Sequence, residues 1–196
     1  MAKAKIGVYG SAISESPELE AKARELGLIL AEHDVILITG ACSGLPYQVV
    51  STAYKKNHSE IWGFSPAKDY EGQLAFTPDD DPAIYARLLY VPADAEFVDR
   101  PDVCKKYRNV LSTAACDAGI VMSGRWGSLN EFTNLYDMGK VIGILTGTGG
   151  IADELPALDK KIHKPSKAKV IFDSSPRALV ERVFEEVQGR KEDSIS

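Results

Sequence analysis

Short apolar runs alternate with amphipathic stretches along almost the whole chain. Lys5-Ile6-Gly7-Val8-Tyr9 predicts a first strand, closed by Gly10-Ser11. Ser16-Pro17 has the order of an N-cap followed by proline at the first helical position. Leu19, Ala23, Leu26 and Leu30 then recur at helical spacing to about Glu32. Asp34-Val35-Ile36-Leu37-Ile38 is the continuous apolar run of a strand buried on both faces, and it stops at Thr39-Gly40. A second helix is predicted over Pro46 to Lys56 and a third strand over Glu60 to Phe64.

The stretch from Ser65 to Pro82 follows neither period and holds Pro66, Pro78, Pro82 and the run Asp79-Asp80-Asp81. A segment of this kind inside a compact domain is a functional loop or lid, or a solvated excursion. Regularity returns with a strand over Arg87 to Val91, a helix from Asp102 to Cys116, a strand over Ala118 to Met122 and a helix from Ser128 to Met138. Val141 to Leu145 predicts a strand, Ile151 to Leu158 a short helix, Lys169 to Phe172 a last strand and Pro176 to Val187 the closing helix, stopped by Gly189. Strand–helix alternation throughout implies a three-layer α/β, Rossmann-like domain with a mostly parallel sheet. No repeat or linker divides the chain, so 1–196 is expected to form one domain, with 189–196 as a flexible tail.

Composition narrows the class. Hydrophobic residues make up 44% and charged residues 26%, which suits a folded globular chain. No apolar run approaches the roughly 20 residues that span a bilayer. The net charge of −5 lacks the basic footprint of a nucleic-acid binder. Cys42, Cys104 and Cys116 are scattered, and no leader-like opening is legible, so reduced thiols and a cytoplasmic location are expected. His33, His58 and His163 are isolated, so no metal site is expected.

Ligands of such folds bind at the carboxyl ends of the strands. Four glycine-bearing turns fall there: Gly10-Ser11-Ala12, Gly40-Ala41-Cys42-Ser43-Gly44, Ser123-Gly124-Arg125-Trp126-Gly127-Ser128 and Gly147-Thr148-Gly149-Gly150. Glycine lets backbone N–H groups approach an anion, and a following helix N-terminus adds a favourable dipole. Glycine also suits any tight strand-to-helix turn. No G-x-x-x-x-G-K-[ST] string exists, which removes the usual ATPase and GTPase reading. Gly147, Gly149 and Ala152 fit G-x-G-x-x-[GA], and Asp173 closes the next strand, so dinucleotide binding there is a third option.

Two side chains are candidates for chemistry. Ser128-Leu129-Asn130-Glu131 has the spacing of a capping box. Glu131 is thus either a cap or a carboxylate facing the crevice from the first helical turn. Arg108 shares its helix with Lys105, Lys106 and Tyr107. It belongs either to a solvated basic face or to a bidentate phosphate site.

Tyr107-Arg108-Asn109, Asp117-Ala118 and Ser123 to Glu131 resemble the LOG (Lonely Guy) family of Rossmann-like proteins. That family's mark is an arginine on a helix followed by a P-G-G-x-G-T-x-x-E loop. Arg108 precedes Glu131 by 23 positions (131 − 108), as the family has it, and the two earlier glycine loops also match. The resemblance covers roughly Lys5 to Leu145. It implies hydrolysis of the N-glycosidic bond of a nucleoside 5′-monophosphate such as AMP, releasing base and ribose 5-phosphate, by a homodimer. It implies Glu131 and Arg108 as catalytic residues. Gly10, Ser11, Gly40, Ser43, Gly44, Ser123, Gly124, Arg125, Gly127 and Ser128 would bind nucleotide or phosphate. The label "lysine decarboxylase", often given to the family, needs a pyridoxal phosphate lysine that nothing here singles out, so no cofactor is expected. The chain departs from the pattern at Ser123, at Arg125 in place of the second glycine, at Ser128, at Asn109 in place of a basic residue, and at Pro46-Tyr47. These departures support an alternative, a non-catalytic carrier of a nucleotide or molybdenum cofactor, as found among the family's relatives. A role on DNA, found in another relative, fits the acidic charge poorly. Expected partners are therefore a small phosphate-bearing ligand and a second copy, with no nucleic acid or membrane.

Overall fold

The computed structural model describes residues 3–13, 16–162 and 164–193. His163 and the predicted tail residues 194–196 lie outside them. The elements run β1 (Ala4–Gly10), α1 (Pro17–Leu30), β2 (Val35–Thr39), α2 (Leu45–Asn57), β3 (Glu60–Phe64), α3 (Tyr70–Phe76), a 3₁₀ turn (Pro82–Ile84), β4 (Arg87–Leu89), α4 (Pro101–Ala115), β5 (Ala118–Met122), α5 (Trp126–Asp137), β6 (Val141–Leu145), α6 (Gly150–Lys161), β7 (Lys169–Asp173) and α7 (Pro176–Asp193).

Among the described residues the seven strands form one sheet in the order β4-β3-β2-β1-β5-β6-β7. Every pairing is parallel. Helices cover both faces, giving the expected three-layer Rossmann-like architecture. Alternation along each strand feeds two cores. Ile6, Val8, Leu37 and Val141 face α1, α2 and α7. Tyr9, Ile38, Ile142 and Ile144 face the layer of α4, α5 and α6. The central strands β2, β5 and β6 are buried along their whole length, which is why they read as unbroken apolar runs.

Three expectations are corrected. The segment 65–82 is not without structure. Asp69 caps α3 by accepting the Gly72 N–H at 2.8 Å, and the buried Gln73 donates to the Ala41 carbonyl at 3.0 Å and to Thr77 Oγ1 at 2.8 Å. Ser43 Oγ donates to Asp80 Oδ2 at 2.8 Å, and the Asp81 N–H donates to the Tyr47 hydroxyl at 2.8 Å. These polar ties fasten the segment to the β2–α2 loop and to α2. They carry no helical hydrophobic period, which is why the pattern misses them. At the other end, α7 does not stop at Gly189 but runs to Asp193. Arg190 holds its last turns by donating to the carbonyls of Gly139 at 2.7 Å and Lys167 at 2.8 Å. The short helix expected from Ile151 is longer, running from Gly150 to Lys161 through Pro156.

Gln73→Ala removes both of that side chain's bonds and leaves the Ala41 carbonyl without this donor. A loss of about 1–3 kcal/mol is expected, a fall of several degrees in melting temperature. Trypsin is expected to cut the variant faster at Lys68. Unchanged cleavage would show that Gln73 does not anchor the segment.

Candidate functional site

The carboxyl ends of β1, β2 and β5 open into a cleft of about 520 Å³. The chain leaves β1 towards β2 on one side of the sheet, and β5 continues the order on the other. This is the switch point at which open α/β sheets hold ligands.

Arg108 from α4 and Glu131 from α5 converge there. Arg108 Nη1 donates to Glu131 Oε1 at 3.4 Å, and the side chains are only 10% and 7% exposed. The ending of β2 makes room for them: a Cβ on Gly40 would collide with the Arg108 guanidinium. Asn109 adds a third arm. With its amide orientation assigned from the surrounding hydrogen-bond network, it donates to Glu131 Oε1 at 3.2 Å and to the Lys105 carbonyl at 2.9 Å.

Burial pushes the Glu131 carboxyl up to about 7, while Arg108 and Lys106 pull it the other way. Burial likewise raises the Cys42 thiol, against Arg108. Further cations line the cleft at Lys105, Lys106 and Arg125, and Asp102 is the other acid. Four cations thus face two carboxyl groups in a chain of net charge −5.

The polar lining has spare bonding capacity. Ser11 Oγ and Thr39 Oγ1 are buried in the cleft wall and have no protein partner among the described residues. The N-cap of α5 is Arg125 and supplies no side-chain bond, so the amides of the first turn stay available beside Gly127 and Ser128.

The capping box is not formed. The helix begins at Trp126, so Ser128 is its third residue and Glu131 lies in the second turn, committed to Arg108. Of the residues expected at the site, Arg108, Glu131, Gly10, Ser11, Gly40, Ser43, Arg125, Gly127 and Ser128 line the cleft, and Gly44, Ser123 and Gly124 do not. Those three hold the loops together instead. Gly44 lies against the Ser11–Ala12 backbone, where a Cβ would not fit, and the Leu45 N–H donates to the Ser11 carbonyl at 2.9 Å. Gly124 has a φ of 92°, and its carbonyl accepts the Ile151 N–H at 2.8 Å. The Ser123 N–H donates to Thr148 Oγ1 at 2.8 Å.

The fourth turn therefore braces the third, and its glycine amides are already engaged. The Gly147 and Gly149 N–H groups donate to the Asp153 carboxylate at 2.6 and 2.9 Å. Asp173 accepts from the Ser175 N–H at 2.9 Å and from Arg182 at 3.1 Å. An internal carboxylate already fills the nest that the G-x-G-x-x-[GA] pattern suggests.

Thr39 and Phe76 also line the cleft and escaped the sequence reading. Thr39 was findable as the residue at which a predicted strand stops, and it is the last residue of β2. Phe76 had no signal, because its helix was not legible.

The model of the SLOG cluster4 family matches residues 3–180, and the chain belongs to that family. This agrees with the LOG-like motifs. No curated protein matches the chain. Among solved structures, the chain is similar to the TM1055 protein, with a TM-score of 0.73 and 18% identity over 93% of this chain and 99% of that one. It is also similar to the molybdenum cofactor binding protein of Rippkaea orientalis, with a TM-score of 0.67 and 19% identity over 95% and 99%. DNA processing protein A of Helicobacter pylori, described with a single-stranded DNA binding mode, gives a TM-score of 0.63 and 16% identity over 93% and 81%. These likenesses establish the shared fold.

Folded Glu131 keeps its proton at pH values where the unfolded chain, with an ordinary value of 4.5, has lost it. Its contribution to stability is full below about 4.5 and is lost as pH rises through about 7. The melting temperature of the wild type minus that of Glu131→Gln is expected to shrink between about pH 5 and pH 8. A difference that widens with pH would mean that the carboxyl is held ionised.

Proposed function

We propose that this member of the SLOG cluster4 family binds a phosphate-bearing small molecule of the nucleoside 5′-monophosphate class in the cleft and hydrolyses its N-glycosidic bond. One observation carries the reading: a buried Arg108–Glu131 pair, 3.4 Å apart, among the further cations Lys105, Lys106 and Arg125 at the switch point of an otherwise acidic chain. In this reading the amides at Gly127 and Ser128 and the Arg125 guanidinium hold the phosphate, as an uncapped helix start does for anions. Gly10, Ser11, Gly40 and Ser43 line the ribose side. Thr39 Oγ1 and Ser11 Oγ offer bonds to ligand hydroxyls.

Hydrolysis needs a water, a base and stabilisation of positive charge at the sugar. Water attacks C1′ as the C1′–N bond breaks, and the bond's electron pair leaves with the nucleobase. Glu131 takes the proton of the attacking water, and as a carboxylate it offsets the oxocarbenium-like charge. A group that titrates near 7 can accept that proton and pass it on to the departing nucleobase nitrogen near neutral pH, leaving ribose 5-phosphate and neutral base.

A second reading, binding without turnover, is favoured by a specific contact set. Asn109 donates to the same Glu131 Oε1 that Arg108 pairs with, and this additional bond restrains the carboxylate from serving a water. The cleft would then carry a nucleotide or a molybdenum cofactor, the ligand named for the Rippkaea orientalis neighbour. Either way the net charge of −5 disfavours a nucleic-acid strand as partner. The chain would act as a homodimer: Val110 on α4 and Trp126 at the head of α5 are 43% and 81% exposed, apolar surface that suits a second copy. No helix among the described residues is long and apolar enough to cross a membrane, and a cytoplasmic location belongs to the same proposal.

The test is incubation with AMP, GMP and CMP. Free base and ribose 5-phosphate are read by chromatography, and melting temperature is measured alongside. Base release abolished by Glu131→Gln is expected, with the variant melting within a few degrees of the wild type. Wild-type turnover in that variant would remove Glu131 from catalysis. A thermal shift without base release selects the carrier reading, and the absence of both responses would sink the nucleotide site.

A further inference from the structure

The β3–β4 connection supplies one wall of the cleft, and we infer that Phe76 on this wall receives the planar heteroaromatic ring of the ligand, making it the specificity-determining end of the site. The inference rests on the nucleotide reading above.

The wall is fixed in place. Gln73 ties α3 to the Ala41 carbonyl, and Asp80 and Asp81 tie the following turn to Ser43 and Tyr47. These bonds leave Phe76 and Thr77, at the end of α3, lining the cleft. Lys105 Nζ stands 5.4 Å from the centre of the Phe76 ring, so α3 and α4 meet on this side through a cation–π contact. Phe76 is the aromatic residue that the connection contributes to the cleft, and it is only partly buried.

Its place in the sheet order decides what it would meet. The anion-binding features lie at the ends of β1 and β5, where α5 begins. Arg108 lies against Gly40, at the end of β2. Phe76 follows β3, three strands along from β5. Three strand spacings come to roughly 14 Å, which is the scale of an extended nucleoside monophosphate. A ligand with its phosphate at Gly127–Ser128 and its sugar beside the Arg108–Glu131 pair therefore delivers its ring to Phe76. Stacking or edge contact with an aromatic side chain is available to any base through its π-face. Lys105 can donate to ring acceptors from the same wall.

The experiment compares AMP with ribose 5-phosphate, which keeps the phosphate and sugar and lacks the ring. Calorimetric titrations are run in a Glu131→Gln background, so that AMP is not consumed. The expected result is tighter binding of AMP than of ribose 5-phosphate. Phe76→Ala and Phe76→Leu should each weaken AMP roughly tenfold to a hundredfold while leaving ribose 5-phosphate within about twofold. Phe76→Trp should restore AMP binding. Phe76→Leu keeps an apolar side chain of similar bulk, so a loss it shares with Phe76→Ala reports the ring and not a collapsed wall. Equal affinity for the two probes, or equal weakening of both by the Phe76 variants, would overturn the inference and leave the phosphate site standing. A background that binds neither probe would refute the nucleotide reading and this inference with it.

Discussion

The site is organised around a buried ion pair. Taking a guanidinium and a carboxyl out of water costs several kcal/mol for each ion, and their attraction offsets this only when geometry and further hydrogen bonds are good. Here the geometry is moderate, at 3.4 Å, and burial outweighs the cation's pull on Glu131. The pair is a poor source of stability by this measure. Its surroundings nevertheless single it out. Gly40 gives up its side chain to admit the guanidinium, and Asn109 is placed to hold the same carboxylate oxygen. A costly pair accommodated in a cleft, with one partner's proton affinity shifted by burial, is the arrangement that the proposed site draws on.

Other glycines act at one remove from that pair. Gly44 and Gly124 pack loops together, and the fourth turn, with its own Asp153 filling the amide nest, braces Ser123 and Gly124 from behind. The result is a braced rim on which the starts of α5 and of α2 carry no side-chain cap. Rigidity matters because an anion site made of backbone amides works only if the amides are already aimed.

The parallel sheet was legible because burial on both faces writes itself as unbroken apolar runs such as Val35–Thr39 and Val141–Leu145. Arg108 and Glu131 were legible by motif and spacing, though spacing left a cap and a crevice carboxylate indistinguishable. Only the start of α5 at Trp126 separates them, and helix starts are weakly encoded when no side chain caps them. The segment 65–82 was opaque for a different reason. Its order comes from long-range polar bonds, Gln73 to Ala41 and Asp80 to Ser43, which leave no periodic trace. The dinucleotide pattern at Gly147 records glycine spacing alone, whereas the amides it describes donate to Asp153, four residues beyond Gly149.

The two readings of the cleft turn on the partnership of a single guanidinium. With Arg108 on Glu131, the carboxyl loses its proton more readily, as a base for water requires. An anion that draws the guanidinium away removes the charge that offsets burial, and the carboxyl then keeps its proton at neutral pH. Hydrolysis therefore asks the ligand's phosphate to be met elsewhere, at the α5 amides and Arg125, so that Arg108 stays with Glu131 and the sugar. A carrier is free of this constraint and can give Arg108 to the phosphate. Arg125 at the start of α5 is thus the residue on which the choice depends: a cation there lets the phosphate be held without disturbing the pair, which reconciles the departure from the family's glycine with retained chemistry.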